Sequence, residues 1–405
     1  MAFFRNTAVN LLNLHYGIHC ITLYGGGAFF LIYLLRAGLS IPAVLLSLAL
    51  ILVGRFIVRP FVIILAARFG LRAMVIAGTL LSAVQYLFLA EVHGLGLVLA
   101  LLIAVAAVGD MVYWTAYHAY FAALGDNEFR GHQIGVREAI AAVVGIVSPL
   151  ATGWMLVAFG PRMAFGATAI VTALAALPLL GTPTVAVARH VSGGFKAALP
   201  GVLLFMADGW LGVGFLFVWQ IALFLSLGES FLGYGGALAF AALVGAVASL
   251  TLGRHIDAGH GKRAVWYAVI AIAAIIVLRA IATGHPAFAV LANAVGAFGA
   301  CLYIPTVMSA VYTLAKQSPC TLRFHVATEG GWDAGGASGL LVAALAAKYG
   351  LPLGDSILLA LIPLVAIGFL LRRYYESEGR LEPRPASIAI AAPAATPMPA
   401  NSQPR

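Results

Sequence analysis

The sequence predicts an all-α membrane protein, with twelve transmembrane helices in two pseudo-symmetric six-helix bundles. Three observations predict it. Of 405 residues, 62% are hydrophobic and 9% charged, with a mean hydropathy of +1.02. A soluble domain carries about 25% charged residues, so this chain cannot cover itself with a water-compatible surface. Apolar stretches of about 20 residues, each long enough to cross the hydrocarbon core as a helix, recur almost from end to end. Finally, parts of the second half repeat those of the first: Tyr113 to Gly160 falls on Tyr303 to Gly350 at an offset of 190 residues without a gap. Each copy is a long span, a basic polar loop and a glycine-rich span.

Taken in order, the spans are expected at 11–35, 40–66, 73–91, 96–122, 134–158, 163–181, 200–226, 232–252, 264–283, 286–315, 326–348 and 353–371. The run from Leu11 to Leu35 lacks a small-residue cleavage site and reads as the first span rather than a signal peptide. The expected organisation is an N-terminal bundle at 1–181, a cytoplasmic linker at 182–199, a C-terminal bundle at 200–372 and a disordered, Pro/Ala-rich cytoplasmic tail at 373–405. Of the 23 lysines and arginines, Arg36, Arg162, Arg279 and Lys348 are counted to one side, Arg55 and Arg59 inside a span, and the other 17 to the opposite side. The positive-inside bias then puts both termini in the cytoplasm of a multi-pass protein, expected in a bacterial-type inner membrane.

The same reading excludes other classes. A net charge of +9 with basic residues scattered singly between spans gives no nucleic-acid surface. Cys20, Cys301 and Cys320 lie too far apart for a disulfide framework or metal cluster and read as packing residues. The glycine runs Gly25 to Gly27 and Gly330 to Gly336 lack the strand, loop and lysine of a phosphate loop, which argues against an ATP-driven pump. No enzyme signature stands out, and neither a cofactor nor a metal is expected.

Two motif sets narrow the class. After the eighth span, GRHIDAGHGKR carries Gly253, Asp257, Gly261, Lys262 and Arg263; after the second span, ARFGLR carries Arg68, Gly70 and Arg72. In the fifth span Gly145, Pro149 and Gly153 recur every four residues on one face, which permits close packing and a local bend. With these motifs the chain resembles the major facilitator superfamily over about residues 11–372. The first-half loop departs from the family pattern, with Ala67 where an aspartate would stand. The fifth-span motif has Ser148 where drug/proton antiporters carry a second glycine. The resemblance implies two bundles that rock about a central site, with helices one, four, seven and ten around the cavity.

An ionisable side chain at mid-bilayer costs roughly 2.5–3.5 kcal/mol on insertion scales, so each must face a cavity or a partner. Asp110, Trp114, Tyr117 and His118 share a face of the fourth span, with Asp110 the candidate proton or cation site, Trp114 and Tyr117 a substrate platform and His118 nearer the cytoplasm. The alternative is a buried Asp–Arg pair with aromatic packing. His15 and His19 share a face of the first span, suited to a proton relay or an anion. The 190-residue offset sets Asp208 beside His19, a candidate cross-bundle contact. Arg55 and Arg59 need compensation, for which Asp110 and Glu138 are the expected partners; Arg55 is also a candidate for an anionic substrate. Glu329 and Asp333, four apart beside Trp332, are expected to couple protons or lock the cytoplasmic gate through basic loop residues such as Arg323. Trp210, Gln220, Asn293 and Tyr303 are further candidates for the path.

The expected function is secondary transport of a small organic solute by alternating access, coupled to protons or another ion, by a monomer whose other partner is the lipid bilayer. The competing class is a membrane receptor or assembly factor that keeps the bundle without translocation.

Overall fold

The computed structural model describes residues 6–125, 130–187, 194–256 and 261–378. Every long element among them is helical. The first span starts at α1 (Thr7–Thr22), capped by the Asn6 side chain, which accepts the Val9 N–H at 3.1 Å. It widens into a π-helical turn at Leu23–Gly27 and resumes as α2 (Phe30–Arg36).

α3 (Ile41–Ala90) is 50 residues long. Straight, it would run about 75 Å, more than twice the hydrocarbon thickness. It folds back at Gly70, whose φ of +79° belongs to the left-handed region that glycine enters freely. α4 (Leu97–Leu124) records the fold: Ala107 packs on Gly54 of the first leg, and Gly109 on Leu81 of the second. α5 (Arg130–Ala158) and α6 (Gly160–Leu174) follow.

After the short α7 (Gly194–Ala197), α8 (Leu199–Gly212) passes through a second π-helical turn, Val213–Val218, into α9 (Trp219–Ser226). The 190-residue offset seen in the sequence carries Leu23 onto Val213, so the two π-helical turns begin at matching positions. The remaining helices are α10 (Phe231–Ile256), α11 (Gly261–Ala282), α12 (Pro286–Gln317), α13 (Thr321–Lys348), α14 (Leu353–Leu358) and α15 (Leu361–Glu378).

Ten of the described helical segments are long and apolar enough to cross a membrane, α3 counting once. α13 is not among them, because Glu329, Asp333 and its glycines lower its hydropathy. Side chains such as Ile57, Phe61, Ile64, Val157 and Phe369 stand more than half exposed. So much large apolar surface is stable only against lipid.

The helices before residue 182 pack mainly on one another, as do those after 198. The two groups meet along α3 with α13 and α5 with α10. The fifth-span motif serves the second seam: Gly153 faces the Phe231 carbonyl, and the Pro149 carbonyl faces Gly235.

One face of the molecule is built of short turns, with Gly38, Gly94, Gly160, Gly228, Gly284 and Gly350 all at φ between +66° and +95°. There Arg162 donates to Glu91 at 2.7 and 2.9 Å, which holds the Glu91 carboxyl below the usual carboxylate range. On the opposite face, the loop at Gly70 is pinned by residues 182–187. Leu71 donates its N–H to the Val185 carbonyl at 2.9 Å, and Arg72 donates to the Thr182 carbonyl at 2.8 Å. Arg68 lies over the Phe69 ring. Asp257 and the chain beyond Glu378 lie outside the described residues. For Gly253, Gly261, Lys262 and Arg263 only helical backbone is described.

Arg279 does not reach the water-facing side to which the charge count assigned it. It is 4% exposed within α11, stacked on Phe215 at 4.2 Å and Trp219 at 5.0 Å, and it donates to the Phe215 carbonyl. Phe215 sits in the second π-helical turn, and Gly296 leaves room for the guanidinium. Arg279→Ala is therefore expected to lower the melting temperature in detergent. It removes a donor from the part-buried Phe215 carbonyl, worth about 1 kcal/mol, and opens a void besides. A differential scanning fluorimetry trace identical to the parent's would contradict this role.

Candidate functional site

A cavity of about 540 Å³ lies between the two helix groups. Both π-helical turns border it, through Leu23, Tyr24 and Gly27 on one side and Leu216 and Phe217 on the other. The second leg of α3 adds Gln85 and Tyr86, and α5 adds Gly145 and Pro149, where the small glycine leaves space. Arg55, Asp110, Trp114, Gln220 and Trp332 complete its polar and indole groups.

The charges lie toward the end of the cavity away from the turn face. Arg55 and Arg59 occupy one face of α3, and Glu329 and Asp333 one face of α13, so each helix presents a two-pronged set at four-residue spacing. Asp333 is fully buried and takes both arginines: Arg55 Nε at 3.0 Å, and Arg59 through a short contact. Arg59 also meets Glu329 at 3.3 Å and donates to the Val326 carbonyl at 3.1 Å. Asp110 stands 3.9 Å from Arg55, its side chain 32% exposed into the cavity. Paired charges of this kind are what a low-dielectric interior permits. They also join the two helix groups, α3 to α13. At the turn face the groups meet again through Arg36 and Glu229, an exposed pair at 3.1 Å.

The structure thus brings together Arg55, Arg59, Asp110, Glu329 and Asp333, with Trp114 and Gln220 at the cavity wall. Glu138 is corrected: it pairs with its neighbour Arg137 at 2.6 Å and not with the α3 arginines. The expected partners of Glu329 and Asp333 are also corrected, since these acids meet Arg55 and Arg59, while Arg323 lies over the Phe195 ring.

Several candidates lie off the cavity. His15 is buried inside the first group, where Nδ1 meets the Ala175 carbonyl at 2.7 Å and Nε2 meets the Tyr113 hydroxyl at 3.1 Å. A carbonyl only accepts, so Nδ1 is the donor and Nε2 takes the tyrosine proton in the neutral ring. The Ala175 carbonyl is free for this because Leu179 donates to Ala176 instead. His19 packs behind Trp114, its ring 4.2 Å from Tyr113, and does not reach Asp208. Asp208 instead accepts the Tyr303 hydroxyl at 2.5 Å within the second group.

Tyr117 is fully buried between Tyr16 and Tyr113, a turn deeper than the cavity floor. His118 lines a smaller cavity of about 260 Å³ with His325. Trp210 packs on Gly339 of α13. Asn293 accepts from the Trp219 indole at 3.0 Å and donates to the Ala237 carbonyl at 3.1 Å. Sequence reasoning passed over Tyr24, Gln85, Tyr86 and Phe217. Gln85, an amide within an apolar span, carried the signal that could have found it.

The profile described as Major Facilitator Superfamily matches residues 15–318, three quarters of the chain. The chain belongs to the major facilitator superfamily. No curated protein matches it. Superfamily membership makes this a multi-pass membrane transporter of the secondary type.

Proposed function

We propose that this facilitator moves a small organic solute through the cavity by alternating access, coupled to protons at Asp110. Twelve spans form two pseudo-symmetric bundles at 1–181 and 200–372, joined by the linker at 182–199. α3 supplies two of the spans and α13 the eleventh. The protein works as a monomer in the inner membrane, both termini in the cytoplasm; the tail expected from 373 is corrected at its start, since α15 continues helical to Glu378 and Tyr375 donates to the Thr306 carbonyl.

One observation carries the reading. Asp110 is the carboxylate that both borders the cavity and shares Arg55 with the ion pairs closing one side. Protonating Asp110 removes its pull on Arg55 and leaves that arginine wholly to Asp333. A proton taken up from the cavity therefore tightens the contact between α3 and α13, and its release loosens it. Arg55, Asp333 and Tyr86 are the charged and titratable groups that act on Asp110. The remaining cavity wall is apolar enough to desolvate a bound solute.

Proteoliposomes with a trapped pH dye are expected to show substrate-driven proton movement. In Asp110→Asn that movement is lost, while the folded yield is unchanged. Full pH-dependent transport by Asp110→Asn would remove Asp110 from the coupling step. Candidate solutes emerge from a thermal-shift screen, since a ligand at a hundredfold excess over its Kd stabilises the fold by about 2.7 kcal/mol.

A further inference from the structure

We infer that the solute is an amphipathic organic cation, whose charge docks on Asp110 inside an aromatic box. The inference rests on the transport reading and deepens it. Charge bookkeeping comes first. Arg55 and Arg59 face Asp110, Glu329 and Asp333, so the connected network holds one negative charge more than positive. The excess is not spread evenly. Asp333 is fully buried against both arginines and Glu329 is held by Arg59, whereas Asp110 keeps only the long 3.9 Å approach to Arg55. Asp110 is also the most exposed of the five charged groups, and it opens into the cavity. A monovalent cation there neutralises the set, and an anion raises its imbalance.

The cavity wall supplies the second argument. Tyr24, Phe30, Tyr86, Trp114, Phe217 and Trp332 all border it. Ring faces carry partial negative charge and attract cations, most strongly when water is excluded. The rest of the wall is largely aliphatic, and Gln85 and Gln220 are its two side-chain amides. An apolar body with one delocalised positive charge fits the wall as well as the acid.

The test uses the full-length protein in detergent and two isosteric probes of opposite charge, tetraphenylphosphonium and tetraphenylborate. Binding is read by quenching of indole fluorescence. The phosphonium is expected to bind, and the borate to bind at least roughly tenfold more weakly. Asp110→Asn is expected to weaken the phosphonium by about tenfold or more, as loss of a charged partner implies. Asp110→Glu keeps the charge and is expected to retain binding, which separates lost charge from a damaged fold. Equal or tighter binding of the borate, phosphonium binding untouched in Asp110→Asn, or no phosphonium binding at all would each overturn the inference. These readouts concern equilibrium binding alone. Proton-coupled flux of some other solute without phosphonium binding sinks the cation class and leaves transport standing. Phosphonium binding without any coupled flux does the reverse.

Discussion

Asp333→Ala is expected to destabilise the folded protein by about 3–5 kcal/mol, the usual cost of leaving a buried charge without its partner. Here two arginines lose their shared carboxylate together, leaving Arg55 only the long approach to Asp110 and Arg59 the contact with Glu329. Arg55 and Arg59 both sit on this carboxylate, and Asp333 is fully buried. Glu329→Gln is expected to cost far less, because Arg59 keeps Asp333 and the Val326 carbonyl as partners. Its side chain is 16% exposed, its contact with Arg59 is 3.3 Å, and the amide can still accept a hydrogen bond. Thermal denaturation in one detergent gives the ranking directly. Similar midpoints for the two variants would mean that the arginines find other compensation. The same comparison bears on transport. A weakened contact between α3 and α13 opens the path on that side, so Asp333→Ala is also expected to leak solute down its gradient without added protons.

How far this site was legible in the sequence depends on whether a feature is local or long-range. The twin prongs were legible: four-residue spacing puts Arg55 with Arg59 and Glu329 with Asp333, whatever surrounds the helices. That the prongs meet was not, because it depends on the rotation and depth of α3 against α13, and a span apolar on all sides gives no amphipathic face from which to read rotation. For the same reason Glu138 was assigned to the wrong arginines, and Asp208 was set against His19 by matching depth alone.

The fold was more legible than the site, since a bilayer leaves few alternatives to apolar helices. Even so, the charge count set Arg279, near the end of the expected span 264–283, at the water-facing side, because a lone arginine near a span's end usually reaches water. The free carbonyl of a π-helical turn, which holds it inside, leaves no mark in composition. Tyr117 and His118 share the helical face of Asp110 but sit below the cavity floor, a matter of depth that periodicity does not encode.

Gly335→Ala is expected to collapse the yield of folded protein, although it adds a single carbon to a residue type that usually welcomes it. In exposed helix interiors Ala is better than Gly by about 1 kcal/mol. At Gly335 the new methyl would strike the backbone carbonyl of Met206 on α8. Gly331 faces the Val202 carbonyl in the same way, one helical turn earlier on both helices. Such repeated small residues let two backbones approach within the membrane, where packing rather than the hydrophobic effect holds helices together.

Overpacking that side chains can absorb costs about 1–3 kcal/mol. A carbonyl cannot rotate away without breaking its own helix, so α8 and α13 must separate along their length. The separation would carry α13 toward α3, onto Asp333 and its arginines. Gly236→Ala supplies the matched comparison, because the same carbon placed there meets nothing within 4 Å. Size-exclusion profiles of detergent extracts are expected to show a normal peak for Gly236→Ala and aggregate for Gly335→Ala. Two normal peaks would mean that the seam between α8 and α13 has slack, and that its glycines serve movement rather than contact.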